Sequence, residues 1–207
     1  SRGLGDVYKR QVYEDADVYA FVKNNGGKVA VYKENLYKPM PGYRFIASNT
    51  DRSRYYVGEL NGRSSKQAYM DALHISESNI INQTFHNPLG KMNGQDICII
   101  SLKEVSGNGL CCYRQVNDSD VLVLLEEQDY NEILDETLQR IRRDFNHISG
   151  VFSINCVFRY LLFSQEHHME DYLKTMSTLG DHAGLIGFGE HYNQQFVNQT
   201  MTCVVFE

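Results

Sequence analysis

The chain has 207 residues, room for one large domain or one and a half small ones. Hydrophobic residues make up 42% and charged residues 22%, a globular composition in which 14 Tyr and 10 Phe supply core mass in place of Trp. A formal charge of −6 argues against a nucleic-acid partner, which needs a basic stripe, and no apolar run is long enough to span a bilayer.

In chain order, residues 1–11 ("SRGLGDVYKRQ") differ in texture from the rest of the chain. From Val12 the sequence is β-like. "DVYAFV" (17–22) and "KVAVYK" (28–33) flank "NNGG", the signature of a hairpin turn. "YRFIAS" (43–48) and "RYYVGEL" (54–60) predict two more strands, set off from the first pair by the two prolines of "KPMPG" (38–42). Residues 64–75 switch to helical spacing, with Ser64 as the N-cap, and 76–85 predict a second short helix. Residues 86–95 ("HNPLGKMNGQ") carry loop residues. "DICIISLKEV" (96–105) and "LCCYRQV" (110–116) predict a hairpin across "SGNG", and "DVLVLLEE" (120–127) a third strand.

The clearest helix covers 129–145. Ile133, Leu134, Leu138, Ile141 and Phe145 form one stripe, with acids early and arginines late, as the helix dipole favours. "ISGVFSINCVFRYLLF" (148–163) begins as a buried strand, 165–180 predicts a helix ending at a Gly cap, and 183–192 and 196–207 predict closing strands. Consecutive hairpins with interspersed helices predict an α+β fold, a mixed and largely antiparallel sheet with helices packed on it.

Three stretches, "ELNGRSSKQAYMDAL" (59–73), "FSINCVFR" (152–159) and "LIGFGEHYNQQFVNQTMTCVVFE" (185–207), together resemble the FIST C-terminal domain family, the second half of a bacterial sensory module. The "PLG" loop, Pro88-Leu89-Gly90, falls between them in the family's order. One position departs: Phe158 stands before Arg159, where the family usually has Gly. The resemblance implies a FIST C-terminal domain over 60–207 and the tail of a truncated FIST N-terminal domain over 12–59, whose strands would find their partners upstream. Residues 1–11 resemble one translated frame of a sequencing-library adapter, a non-native segment outside the fold.

The residues that can carry chemistry cluster in the last third. Cys156 is a buried strand thiol or a site residue. Arg159, between apolar neighbours, needs an anion, either Glu190 or a ligand carboxylate. Gly189 and Glu190 end a Gly-rich strand, the kind that lets a ligand approach closely. Asn198 and Thr200 alternate with apolar residues on the last strand. Strand parity opposes a shared site, since Cys156 and Arg159 point to opposite faces of a regular strand. Five cysteines, Cys98, Cys111, Cys112, Cys156 and Cys203, match no disulfide framework or zinc pattern and read as reduced thiols of a cytoplasmic protein. No metal or other cofactor is expected: H-E-x-x-H, Walker A and G-x-S-x-G are all missing.

The resemblance therefore implies a bacterial, intracellular sensory protein that binds a small, amino-acid-like ligand at Cys156, Arg159, Gly189, Glu190, Asn198 and Thr200. It would pass the signal to a downstream domain or partner that the sequence does not name, with homo-oligomers open. The alternatives are an enzyme with Cys156 as nucleophile, and a structural dimerisation module.

Overall fold

A computed structural model describes residues 14–15, 19, 21–94 and 96–207. The adapter-like residues 1–11 and part of the strand expected over 17–22 lie outside them. The first half of the chain is mostly strand: β1 (Val29–Asn35), β2 (Tyr37–Asp51), β3 (Tyr56–Leu60) and β4 (Arg63–Ser64). Then come α1 (Ser65–Leu73), a 3-10 turn (Glu77–Asn79) and α2 (Ile80–Gln83). β5 (Leu89–Asn93), β6 (Asp96–Ile100), β7 (Leu102–Ser106), β8 (Gly109–Cys112) and β9 (Val121–Glu127) come next. The second half holds α3 (Tyr130–Asp144), β10 (Gly150–Cys156), α4 (Val157–Gln165), α5 (Met169–Met176), β11 (Asp181–Gly187), β12 (Glu190–Tyr192), β13 (Gln195–Val197) and β14 (Thr200–Phe206).

The strands form two main sheets. The larger runs β6-β5-β9-β2-β3-β8-β7, with β4 added on β3, and every pairing in it is antiparallel. Its two end strands, β6 and β7, are separated only by Ser101, so the order returns to its own start. Leu60, Leu89, Ile100, Leu110 and Leu122 fill its core, joined by Ala68 and Tyr69 of α1. β2 is long because it bends: its register against β9 shifts between Pro39 and Arg44. Proline has no N–H to give a ladder, and a bulge is where a sheet tolerates it. The prolines of "KPMPG" thus bend a strand instead of separating two.

The smaller sheet, β1-β14-β10-β11, is mixed: β10 and β11 run parallel and the other pairs antiparallel. α3, α4 and α5 cover one face. Leu134, Leu138 and Ile141 of α3 pack there with Phe163, Tyr172, Met201, Cys203 and Val205. α3 starts where expected because Asp129 accepts the N–H groups of Asn131 (2.8 Å) and Glu132 (3.1 Å). The whole is an α+β fold with mostly antiparallel sheets. Among the described residues no helix is long and apolar enough to cross a membrane.

Three expectations change. The hairpin across "NNGG" is not found among the described residues: residues 21–25 are not in a strand, β1 pairs with β14, and part of the expected first strand lies outside the described residues. β2, expected to find its partners upstream, is paired on both edges within the chain, by β3 and β9. The loop expected over 86–95 contains β5, which pairs with both β6 and β9. Gly90, read as a loop residue, sits there because a Cβ would meet Leu125 Cδ1 at 2.9 Å.

Candidate functional site

The six candidate residues divide across the smaller sheet. Glu34 of β1 lies opposite Met201 of β14, and Tyr32 opposite Cys203. All but Glu34 belong to the core beneath the helices, so that face is the helix side. Thr200 and Thr202 alternate with Met201 and Cys203 and therefore point to the other face.

Arg159 is on the helix side. It does not end a strand: the chain leaves β10 at Cys156 and turns directly into α4, which carries Arg159 in its first turn. Its guanidinium pairs with Glu34 and lies over the rings of Phe163 (4.7 Å) and Tyr172 (5.5 Å). Both members of the pair are sealed from solvent, at 1% and 0% side-chain exposure. A buried guanidinium needs an anion, and Glu34 is the anion found. The expected partner, Glu190, sits elsewhere. Its Oε2 accepts the Thr200 hydroxyl at 2.8 Å, on the face opposite the ion pair. The shared Arg159–Glu190 site is thus replaced by two separate polar centres.

Cys156, Gly189 and Asn198 do come together, on the wall of a pocket of about 360 Å³. The pocket lies where the two sheets meet. Ile81, Phe85, Leu102 and Tyr113 come from the larger sheet and its helices; Val157, Phe158 and Leu161 come from α4. Phe158, directly before Arg159, packs on Phe85 (5.4 Å) and edge-on to Tyr113 (5.1 Å). Phe188 and Phe196 close the side next to Gly189, and Phe188 is largely exposed. The lining is aromatic and aliphatic, with polar contributions from Ser101 and Asn198. A second, more polar groove of about 710 Å³ shares Tyr113 and Phe196 with it. Its cations are already engaged: Lys91 pairs with Asp120, and Arg114 donates to the Phe196 carbonyl at 3.0 Å.

Glu190 and Thr200 are buried behind the pocket wall. Burial lifts the Glu190 carboxyl to about 7, against the pull of the Thr200 hydrogen bond. The Cys156 thiol lies against this carboxyl and is pushed up, first by burial and then by the Glu190 charge.

Gln199 is the residue that sequence reasoning missed. It is fully buried, and its side chain ties the sheets together. Its Oε1 accepts the Ser101 hydroxyl (2.7 Å), and its Nε2 donates to the Tyr37 hydroxyl (3.0 Å) and the Thr84 carbonyl (3.3 Å). The only signal in the sequence is an amide inside an otherwise alternating strand.

Among the described residues no three metal-ligating side chains converge. Neither the curated proteins nor the solved structures return a match to the chain. The family model of the FIST C domain matches residues 66–193, which span α1 to β12 and include Cys156, Arg159, Gly189 and Glu190. The chain belongs to the FIST C domain family.

Proposed function

We propose that the chain is the ligand-receiving part of a sensory protein, taking a small molecule with an apolar body into the pocket at Cys156, Gly189 and Asn198. FIST C domains are associated with sensory signal transduction. The observation that carries the reading is the pocket's position: its walls come from both sheets, beside the Gln199 tie between them. A ligand there touches both bodies at once, so occupancy changes how they bear on each other and, through that, on a downstream domain. Apolar lining with a few placed polar groups is the usual make-up of a small-molecule site.

An amino-acid ligand fits this pocket only in part. Arg159 is held by Glu34 on the far face, so no guanidinium clamps a carboxylate. The ligand's side chain would take the aromatic interior, and its charged end would meet Asn198 and the mouth. The raised Cys156 thiol supports binding over catalysis, because a nucleophile needs the thiolate.

Thermal unfolding with a panel of amino acids and small hydrophobic carboxylates tests this. A binder at a hundred times its Kd stabilises by about 2.7 kcal/mol. Leu161→Trp fills the pocket from a partly exposed position, so it should remove that gain and leave the unliganded Tm nearly fixed. No stabilisation by any member, or a gain that survives Leu161→Trp, sinks the reading.

A second reading, the dimerisation module, draws on the uncovered face of the smaller sheet. Val29, Val31, Phe152 and Leu185 are exposed there. Sedimentation at several concentrations tests it, and a monomer throughout discards it.

A further inference from the structure

Two aromatic rings separate the apolar pocket from the polar groove beside it. Tyr113 and Phe196 line both. The tip of the Phe196 ring faces Gly189 on the pocket side, where a Cβ on Gly189 would meet its Cζ at 2.5 Å. The Arg114 guanidinium lies over the same ring, 5.9 Å from its centre, and lines the groove. Apolar recess and cation are thus one ring apart. The chain brings them together by leaving β8 at Cys112: the Tyr113 N–H goes to the Ser101 carbonyl (2.9 Å), which sets Tyr113 in the partition and Arg114 next to it.

The bond from Arg114 Nη1 to the Phe196 carbonyl holds this cation in place without neutralising it. A carbonyl carries no net charge, and it takes one of the five guanidinium N–H groups. Among the described residues Nε and Nη2 make no hydrogen bond, and no carboxylate pairs with Arg114. Those two nitrogens form the side-on fork that suits a carboxylate. Lys91, the other cation of the groove, is neutralised by Asp120. The groove therefore has a single positive charge to offer, which matches a monoanion. No acidic side chain lines either recess among the described residues, so an ammonium group finds no counter-charge in them. Tyr55, which also lines the groove, stands at φ 56°, an unusual backbone for so large a side chain.

On the reading of the pocket as the ligand site, we propose that pocket and groove form one bipartite site for a monocarboxylate with an apolar body and no amino group. The body lies in the pocket and the carboxylate reaches Arg114 across the Phe196 ring. This ligand class departs from the amino-acid-like one that the resemblance implies. The charge-assisted bond to Arg114 favours the carboxylate over a neutral head on the same body by at least about tenfold in affinity.

The test titrates octanoate, 1-octanol and 2-aminooctanoate calorimetrically, at neutral pH, into the native chain, Arg114→Gln and Leu161→Trp. The three compounds share a body and differ in the head. The native chain should bind octanoate at least about tenfold more tightly than 1-octanol, and more tightly than 2-aminooctanoate. Arg114→Gln should bring octanoate down to the level of 1-octanol and leave 1-octanol where it was. Leu161→Trp should abolish the binding of all three. Octanoate no tighter than 1-octanol, 2-aminooctanoate the tightest, or a preference for octanoate that survives Arg114→Gln overturns the bipartite site, and the pocket still stands as the ligand site if Leu161→Trp abolishes binding. No binding by any of the three, or binding untouched by Leu161→Trp, sinks the pocket reading and the bipartite site with it. If Arg114→Gln does not fold, salt decides on the native chain: the preference for octanoate over 1-octanol should shrink between about 0.01 M and about 1 M salt, and an undiminished preference overturns the proposal.

Discussion

Arg159 and Glu34 meet beneath the helices of the smaller sheet although 125 residues separate them in the chain. Glu34 Oε2 and Arg159 Nε and Nη1 are buried and make no further hydrogen bond among the described residues, so the pair is compensated chiefly by itself and by the rings of Phe163 and Tyr172. Removing one member strands the other in the core. Glu34→Ala should therefore cost about 3–5 kcal/mol in urea unfolding. The double change Glu34→Leu with Arg159→Met should cost much less than the single one, because neither charge is left behind. A single change below about 1 kcal/mol contradicts this account.

Glu190 predicts a slope in stability against pH. Its carboxyl is raised from an ordinary 4.5 to about 7, so the folded chain holds its proton more tightly than the unfolded chain does. Its contribution is therefore full below pH 4.5 and is lost as pH rises through 7. The loss is on the order of 3 kcal/mol. Glu190→Gln stays neutral throughout, so stability measured from about pH 5 to about pH 8 should fall less for this variant than for the native chain. Parallel curves would show that Glu190 titrates normally.

Gly189→Ala should destabilise for two reasons. Gly189 stands at φ +101°, and a Cβ would meet Phe196 Cζ at 2.5 Å and Asn198 Oδ1 at 3.0 Å. A cost of about 1–3 kcal/mol is expected in thermal unfolding. Because Phe196 and Asn198 line the pocket, ligand stabilisation should weaken as well. A neutral effect on both would mean that this backbone is free to move away from Phe196.

Gln199→Leu keeps the volume and removes three hydrogen bonds. The Ser101 and Tyr37 hydroxyls and the Thr84 carbonyl would each lose a partner, although Tyr37 keeps its bond to the Phe85 carbonyl at 2.6 Å. Unsatisfied buried groups cost about 1–3 kcal/mol each, so a loss of several kcal/mol is expected. Amide exchange should quicken at the junction before it quickens in either core. Exchange that quickens evenly would speak against Gln199 as the tie.

Local chemistry was legible where periodicity or capping spoke. α1 and α3 begin at Ser64 and Asp129, as a short polar residue before a periodic stripe implies. The β7–β8 hairpin turns where "SGNG" stands. The strand-to-helix change at Cys156 was not legible, because "VFSINCVFRYLLF" is apolar enough to suit either period. That hid Arg159's place on a helix and with it the side of the sheet it serves. β1's partner was hidden for another reason: pairing with β14 is a tertiary fact, and a Gly-rich turn beside it suggested a local answer. Of the site, Cys156, Gly189 and Asn198 were legible and do share a wall, whereas the aromatic lining is assembled from segments that no local pattern brings together.

β14 lies in the interior of the smaller sheet, between β1 and β10, yet comes after every other strand of that sheet in the chain. As a ribosome releases the polypeptide, β1, β10, β11 and the three helices all emerge before the strand that joins them. Until β14 arrives, no strand among the described residues bridges β1 to β10, and the apolar stripe of α3 has no finished surface to settle on. Closing contacts between residues so far apart is slow. A nascent chain of this design thus spends its longest exposed interval just before β14 emerges, when holding chaperones would find most of it to grip.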